Sequence, residues 1–230
     1  MPNYRQSESI RQHFRRGQAL AFGKGDVLLG NQLTPDGVYF VDTGYVKAYS
    51  ISDDGSEYLH IIYGSGEIFP LVWAYVNFQP EVLFYEAISE CTVWRISREW
   101  LTNMVSSDIS FSKAMAVQMA QQFRVYIERV DNLEHKKAGE RVAYYLLFLA
   151  RRFGIKERGQ VVIDVPITHE TFANSINLAR ESVSREMEKL VDKGIVQRAN
   201  SRIIISNMYA LDKLADSIGQ TANFAGLFAT

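Results

Sequence analysis

"LARESVSREMEKLVDKGI" (Leu178–Ile195) reads as a short helix with two unlike faces, and its polar face decides what the chain is. At 100° per residue, Arg180, Ser184, Glu181 and Arg185 fall at about 0°, 40°, 100° and 140°, on one side. Val183, Met187 and Leu190 cluster near about 300°, a dry face that can pack on a preceding helix. An Arg fork matches the O6/N7 edge of guanine, and a Glu accepts from the N4 amino group of cytosine. One helix face with both can read both bases of a G·C pair. Ser184 is short enough to let the helix approach, and it can bond a phosphate or a base. On an isolated helix, Glu181 and Arg185 would simply bridge each other at i, i+4.

The surroundings tip the reading toward recognition. "THETFANSI" (168–176) opens on Thr168, a good helix N-cap. "IVQRANSRIIIS" (195–206) reads as a β-hairpin with a polar tip at Ala199–Ser201. Helix, helix, hairpin is the order of a winged helix-turn-helix. Upstream, "GERVAYYLLFLARRFG" (139–154) is an amphipathic helix closed by Gly154, and "QVVIDVPI" (160–167) is a short extended stretch.

Residues 108–135 read as one long helix, with no Pro or Gly from Val82 to Ala138. Ile109, Ala116, Phe123 and Val130 repeat every seven residues, with Met119, Tyr126 and Leu133 three residues after the last three. This stripe fits a short coiled coil between two subunits, or a helix packed on its own domain. From about 17 to 107 the chain reads as β-rich. Turn signals "GKGD", "TPDG", "DTG", "DDGS" and "GSGE" alternate with runs such as "VYFV" and "YLHIIY". Such spacing, without helix-length connections, predicts an antiparallel roll rather than a parallel sheet.

The expected fold is therefore α+β: an N-terminal antiparallel β-roll (1–107), a dimerisation helix (108–137), a winged helix-turn-helix (138–218) and a tail without usable pattern (219–230). With 230 residues, 47% hydrophobic, there is ample material for packed cores. No apolar run approaches the roughly 20 residues that span a bilayer, and Met1–Gly17 has no apolar signal-peptide core. A single cysteine, Cys91, rules out a disulfide within the chain and suits a reducing cytoplasm. Residues 1–107 hold 8 Lys/Arg against 12 Asp/Glu, whereas residues 138–230 hold 12 against 10. The mild basic excess lies with the opening helix, where a polyanion would bind.

Taken together, the chain resembles the cyclic-AMP receptor protein and fumarate–nitrate regulator (Crp/Fnr) family of bacterial transcription factors, from about Gly17 to about Ser206. "ARESVSREMEKL" resembles the family's recognition helix and "QMAQQFRVYIERVDNL" (118–133) its dimer helix. "GVYFVDTGYVKAY" with "GSGEIF" resembles its cyclic-nucleotide-binding-like jelly roll. The resemblance implies a non-enzymatic homodimer on a palindromic double-stranded DNA operator. Arg180, Glu181, Ser184 and Arg185 would read bases. Thr168, His169, Ser182, Asn200, Ser201 and Arg202 would contact the backbone, and RNA polymerase is a candidate partner. Two departures stand out: Ala179 replaces a capping Ser or Thr, and Asn177 takes a tight-turn position often held by Gly, a conformation Asn tolerates.

The resemblance breaks at the effector site. Pro70 and Leu71 stand where cyclic-nucleotide binders carry Gly-Glu, and Tyr85 and Glu86 where they carry Arg-Ser. Tyr126 and Ile127 replace small hydroxyl residues on the dimer helix. Proline has no N–H to offer and Glu86 would repel a phosphate, which argues against cyclic AMP. An iron–sulfur cluster needs more cysteines than one. "PLVWAYVNF" supplies no His or Cys for haem, and the four His (13, 60, 135, 169) form no metal-site pattern. Leu71, Trp73, Phe84, Tyr85, Glu86, Tyr126 and Ile127 either line a pocket for an unidentified apolar or aromatic effector or simply fill the roll. The rival reading overall is a ligand-binding β-roll whose C-terminal domain contacts a protein.

Overall fold

The computed structural model describes residues 4–30, 34–76, 83–134, 137–199 and 202–215. Asn200 and Ser201 at the wing tip, and the tail at 219–230, lie outside the described residues. The chain forms two compact units, one ending at Tyr126 and one beginning at Ile127.

The first unit is an antiparallel roll of two four-stranded sheets. One has the order β1 (Gln18–Phe22), β8 (Cys91–Ile96), β3 (Val38–Thr43), β6 (Ile68–Phe69). The other has the order β2 (Val27–Leu29), β7 (Phe84–Ala87), β4 (Val46–Ile51), β5 (Glu57–Tyr63). The unbroken apolar run of β3 follows from burial on both faces. Val38 and Phe40 join an outer core with Ile68, Ile96 and residues of α1 (Tyr4–Phe14), α3 (Arg98–Ser107) and α4 (Ile109–Glu134). Tyr39 points the other way and stacks on Phe69 at 5.4 Å.

No periodic pattern marks α1 in the sequence, because only Ile10 and Phe14 form its dry face. Those two are fully buried, and Phe14 meets Phe40 at 5.5 Å. Two further helices interrupt the β-rich stretch: α2 (Leu71–Tyr75) and α3, which is capped by Ser97 accepting from Trp100 N at 3.1 Å.

The helix α4 presents opposed faces. Phe111, Met115, Gln118, Gln122 and Val125 are buried. Gln118 donates to Gly66 O at 2.7 Å and Gln122 to Ile68 O at 2.6 Å, so these polar side chains meet carbonyls that β6 and its turn leave open. The heptad stripe lies elsewhere on the helix: Ala116, Met119, Phe123, Tyr126 and Val130 are exposed, and Leu133 is half-buried.

In the second unit, α5 (Ala138–Phe153) is the scaffold helix, buried from Val142 to Ala150. A four-stranded sheet has the order β11 (Val196–Ala199), β12 (Arg202–Ile205), β10 (Gln160–Ile163), β9 (Gly154–Glu157), and α6 (His169–Ile176), α7 (Arg180–Asp192) and α8 (Met208–Ala215) complete it. Gly154 ends α5, but in extended conformation (φ −74°, ψ 136°) and not through a left-handed cap. The chain turns directly into β9, and any Cβ at Gly154 would collide with Ala150 O. Close approach, not positive φ, explains this glycine.

Candidate nucleic-acid interface

The polar face of α7 is held in place from beneath. Val183, Met187 and Leu190 are buried, as the helical spacing predicts. Below the preceding α6, Tyr145 packs edge-on against Phe172 at 4.8 Å, and its hydroxyl donates to Ser175 Oγ at 2.8 Å. Thr168 caps α6 by accepting from Thr171 N at 3.0 Å. The turn between the helices passes through Asn177 in left-handed conformation (φ 51°, ψ 51°). Arg141, which sequence reasoning missed, donates to Ile176 O, Asn177 O and Leu133 O, meeting carbonyls that the ends of α6 and α4 leave unpaired. Ala179 begins α7 without any side-chain cap.

Arg180, Glu181, Ser184 and Arg185, with Glu188, line one shallow depression. Glu188 falls at about 80° on the same helical wheel and belongs to this face. It escaped sequence reasoning because it lies one turn beyond the quartet. Glu181 and Arg185 do not bridge each other. Neither they nor Arg180 make a hydrogen bond or ion pair among the described residues, and all three are exposed. Other arginines of the fold are engaged: Arg11 with Asp42, Arg151 with Glu128, Arg95 with Asp36. Two unpaired guanidinium groups beside a carboxylate form a surface whose hydrogen-bonding capacity is unused.

The predicted backbone-contact residues have mixed fates. Thr168 is exposed at the head of α6 and Ser182 is half-buried beside the reading face. Arg202 on β12 is held by Asp164, with contacts of 2.8 and 3.1 Å. His169 is not a free helix-end residue: its Nδ1 lies 2.7 Å from Ser184 Oγ, and its Nε2 meets Arg198 Nη1 from β11. Burial, then Arg198 and Arg180, hold its pKa below the ordinary imidazole value, partly offset by Glu188.

The residues proposed for an effector pocket do not form one group. Leu71 and Trp73 belong to the outer core, with Arg98 stacked over Trp73. Phe84 stacks on Tyr49 at 5.4 Å, and Glu86 pairs with the buried Lys47 at 3.2 Å while accepting from Tyr49 at 3.0 Å. Ile127 is exposed. Tyr85 faces between the sheets, where its ring stacks on Phe69 at 4.9 Å and tilts against Tyr63 at 6.2 Å. Burial raises the hydroxyl pKa of Tyr63 and Tyr85, and both lie in the field of Tyr126, which hydrogen-bonds Tyr63. The space between the sheets is thus packed with rings. Among the described residues that pack there, Tyr39, Tyr63, Phe69 and Tyr85, none supplies a guanidinium for a phosphate, and they do not fit a cyclic nucleotide. Among the described residues, no cluster of His, Cys, Asp or Glu suits a metal, and no helix is long and apolar enough to cross a membrane.

Comparison with known proteins agrees with this architecture. Residues 19–108 match the cyclic nucleotide-binding domain, and residues 140–214 match the Crp-like helix-turn-helix domain. The nitrogen fixation regulation protein FixK of Azorhizobium caulinodans is 27% identical over 201 residues, covering 86% of this chain and 79% of that protein. A CRP-like cAMP-activated global transcriptional regulator of Mycobacterium tuberculosis is 24% identical, covering 86% of this chain and 88% of that protein. The solved structure of FixK2 from Bradyrhizobium japonicum shares the fold, with a TM-score of 0.74 and 24% identity over 86% of this chain and 96% of that one.

Proposed function

Because the chain belongs to the Crp/Fnr family of DNA-binding transcription regulators, we propose that it works as a cytoplasmic homodimer reading a palindromic operator, without cyclic AMP. The observation that carries this reading is the unpaired Arg180–Glu181–Arg185 face of α7. In it, Arg185 and Glu181 read a G·C pair in each half-site, Arg180 and Ser184 extend the contact, and Thr168, Ser182 and the wing hold the backbone. The exposed stripe of α4 joins the two subunits and spaces their reading helices about one DNA turn apart, roughly 34 Å. The mutual packing of the Tyr63, Phe69 and Tyr85 rings between the sheets supports the reading without cyclic AMP. The protein's role is regulatory and not enzymatic, with RNA polymerase as the partner on DNA.

The test is selection of bound duplexes from a random pool, followed by gel shifts of the Arg185→Ala variant on the selected operator. The variant should lose discrimination at one G·C position by about 10- to 100-fold, since a bidentate base contact contributes about 1–3 kcal/mol. It should keep weak, strongly salt-dependent binding to any duplex. Equal operator binding by variant and parent would refute the role of Arg185. A chain that selects no duplex, yet captures a protein with little salt dependence, would favour the rival reading.

A further inference from the structure

We propose that His169 is a positioning residue that fixes Ser184 as a hydrogen-bond donor toward DNA and ties that polarity to the wing through Arg198. The proposal rests on α7 being the base-reading helix. His169 Nδ1 lies 2.7 Å from Ser184 Oγ, and Arg198 Nη1 meets His169 Nε2 from β11. A guanidinium has donors only, so Nε2 must accept. A neutral imidazole carries one donor and one acceptor, so its proton sits on Nδ1 and is donated to Ser184 Oγ. The serine oxygen then accepts on the protein side. Its own O–H is left to point into the depression it shares with Arg180, Glu181, Arg185 and Glu188.

This polarity carries sequence information. A serine free to rotate pairs with a donor or an acceptor on a base edge. A serine with one lone pair engaged by His169 and its O–H left free on the DNA side favours guanine O6/N7 or thymine O4 over the amino group of cytosine. The device is intact only while the imidazole is neutral. The charged groups facing it are Arg198 on β11 and Arg180 and Glu188 on α7. The two arginines oppose protonation and Glu188 favours it, with burial adding to the arginines. Protonation would set an N–H against the Arg198 fork, break the chain and free Ser184 to rotate.

Two measurements on the full chain test this. Imidazole nitrogen shifts of 15N-histidine-labelled protein, assigned by comparison with His169→Gln, should show His169 as the Nδ1–H tautomer at pH 7.5. Arg198→Ala should shift it toward Nε2–H. In duplex selection, the operator position degraded by Ser184→Ala should also be degraded by His169→Phe, each losing about fivefold preference, as for one hydrogen bond. His169→Gln, which keeps a donor and an acceptor but does not titrate, should retain that preference and hold it as the pH is lowered beyond the ordinary imidazole range, where the parent loses it once His169 protonates. An Nε2–H tautomer in the parent would overturn the proposal. So would a His169→Phe variant that weakens binding to all sequences equally, the signature of a backbone contact. A parent that selects no operator would instead overturn the base-reading of α7, whatever tautomer His169 shows.

Discussion

Replacing Phe123 by alanine should dissociate the dimer without unfolding its subunits. Phe123 is 66% exposed on the single chain, at the centre of the α4 stripe between Met119 and Tyr126. A fully covered aromatic side chain buries roughly 150–250 Å², so each copy has roughly 100–165 Å² left to bury in a partner. A two-fold contact counts this twice. At about 25 cal/mol/Å², the upper bound is about 5–8 kcal/mol per dimer. Alanine keeps part of that area, neighbouring side chains close the gap, and interface area converts incompletely to affinity, so about 3 kcal/mol is the working figure. That corresponds to a dimer Kd weakened by about 100-fold. Sedimentation velocity across a dilution series would measure it. Urea unfolding of the monomer should change little, since the ring is already wet there. A Kd within threefold of the parent would refute the reasoning, because the stripe would then have no role in association.

Two other outcomes concern the supports of the reading surface and of α4. Tyr145→Phe removes the buried hydroxyl that donates to Ser175 and should cost about 1 kcal/mol of stability, read as a lower urea midpoint, with DNA affinity falling only as far as the folded fraction does. Asp108 accepts from Ser110 N and Phe111 N at the head of α4, which holds its carboxyl below the ordinary range; His13 adds to this. A depressed carboxyl stabilises above its unfolded pKa and loses that contribution as pH falls through its folded one. The midpoint gap between parent and Asp108→Ala should therefore be full at pH 7 and should shrink below about pH 4. A gap independent of pH would count against the assignment.

The parts of this fold that were legible in the sequence are those fixed by local chemistry. Thr168 caps because its hydroxyl reaches a nearby amide, and Asn177 turns because it tolerates left-handed backbone. Val183, Met187 and Leu190 face inward because helical spacing leaves them no other side. The illegible parts depend on partners distant in sequence. Gln118 and Gln122 look like surface residues until Gly66 O and Ile68 O are placed beneath them. Lys47 looks solvated but is 8% exposed, between Glu57 and Glu86. The effector-pocket residues were grouped by nearness in sequence and by family position. Alternation along β7 instead sends Tyr85 inward and Phe84 and Glu86 toward Tyr49 and Lys47. His169 could be placed at a helix start, but its link to Ser184 and Arg198 needed the packing of three elements.

The clasp formed by Arg141 has a mechanical consequence. Within the second unit, the last turns of α4 are fastened to α5 by Glu128–Arg151, by Asn132 on Arg141 O, and by Arg141 on Leu133 O. The same guanidinium also grips the carbonyls at the end of α6, immediately before α7. The reading head is therefore bolted to the tip of the shaft, not hung from it on a string. Any swivel of that tip becomes, with little slack, a change in the angle at which the head meets the double helix.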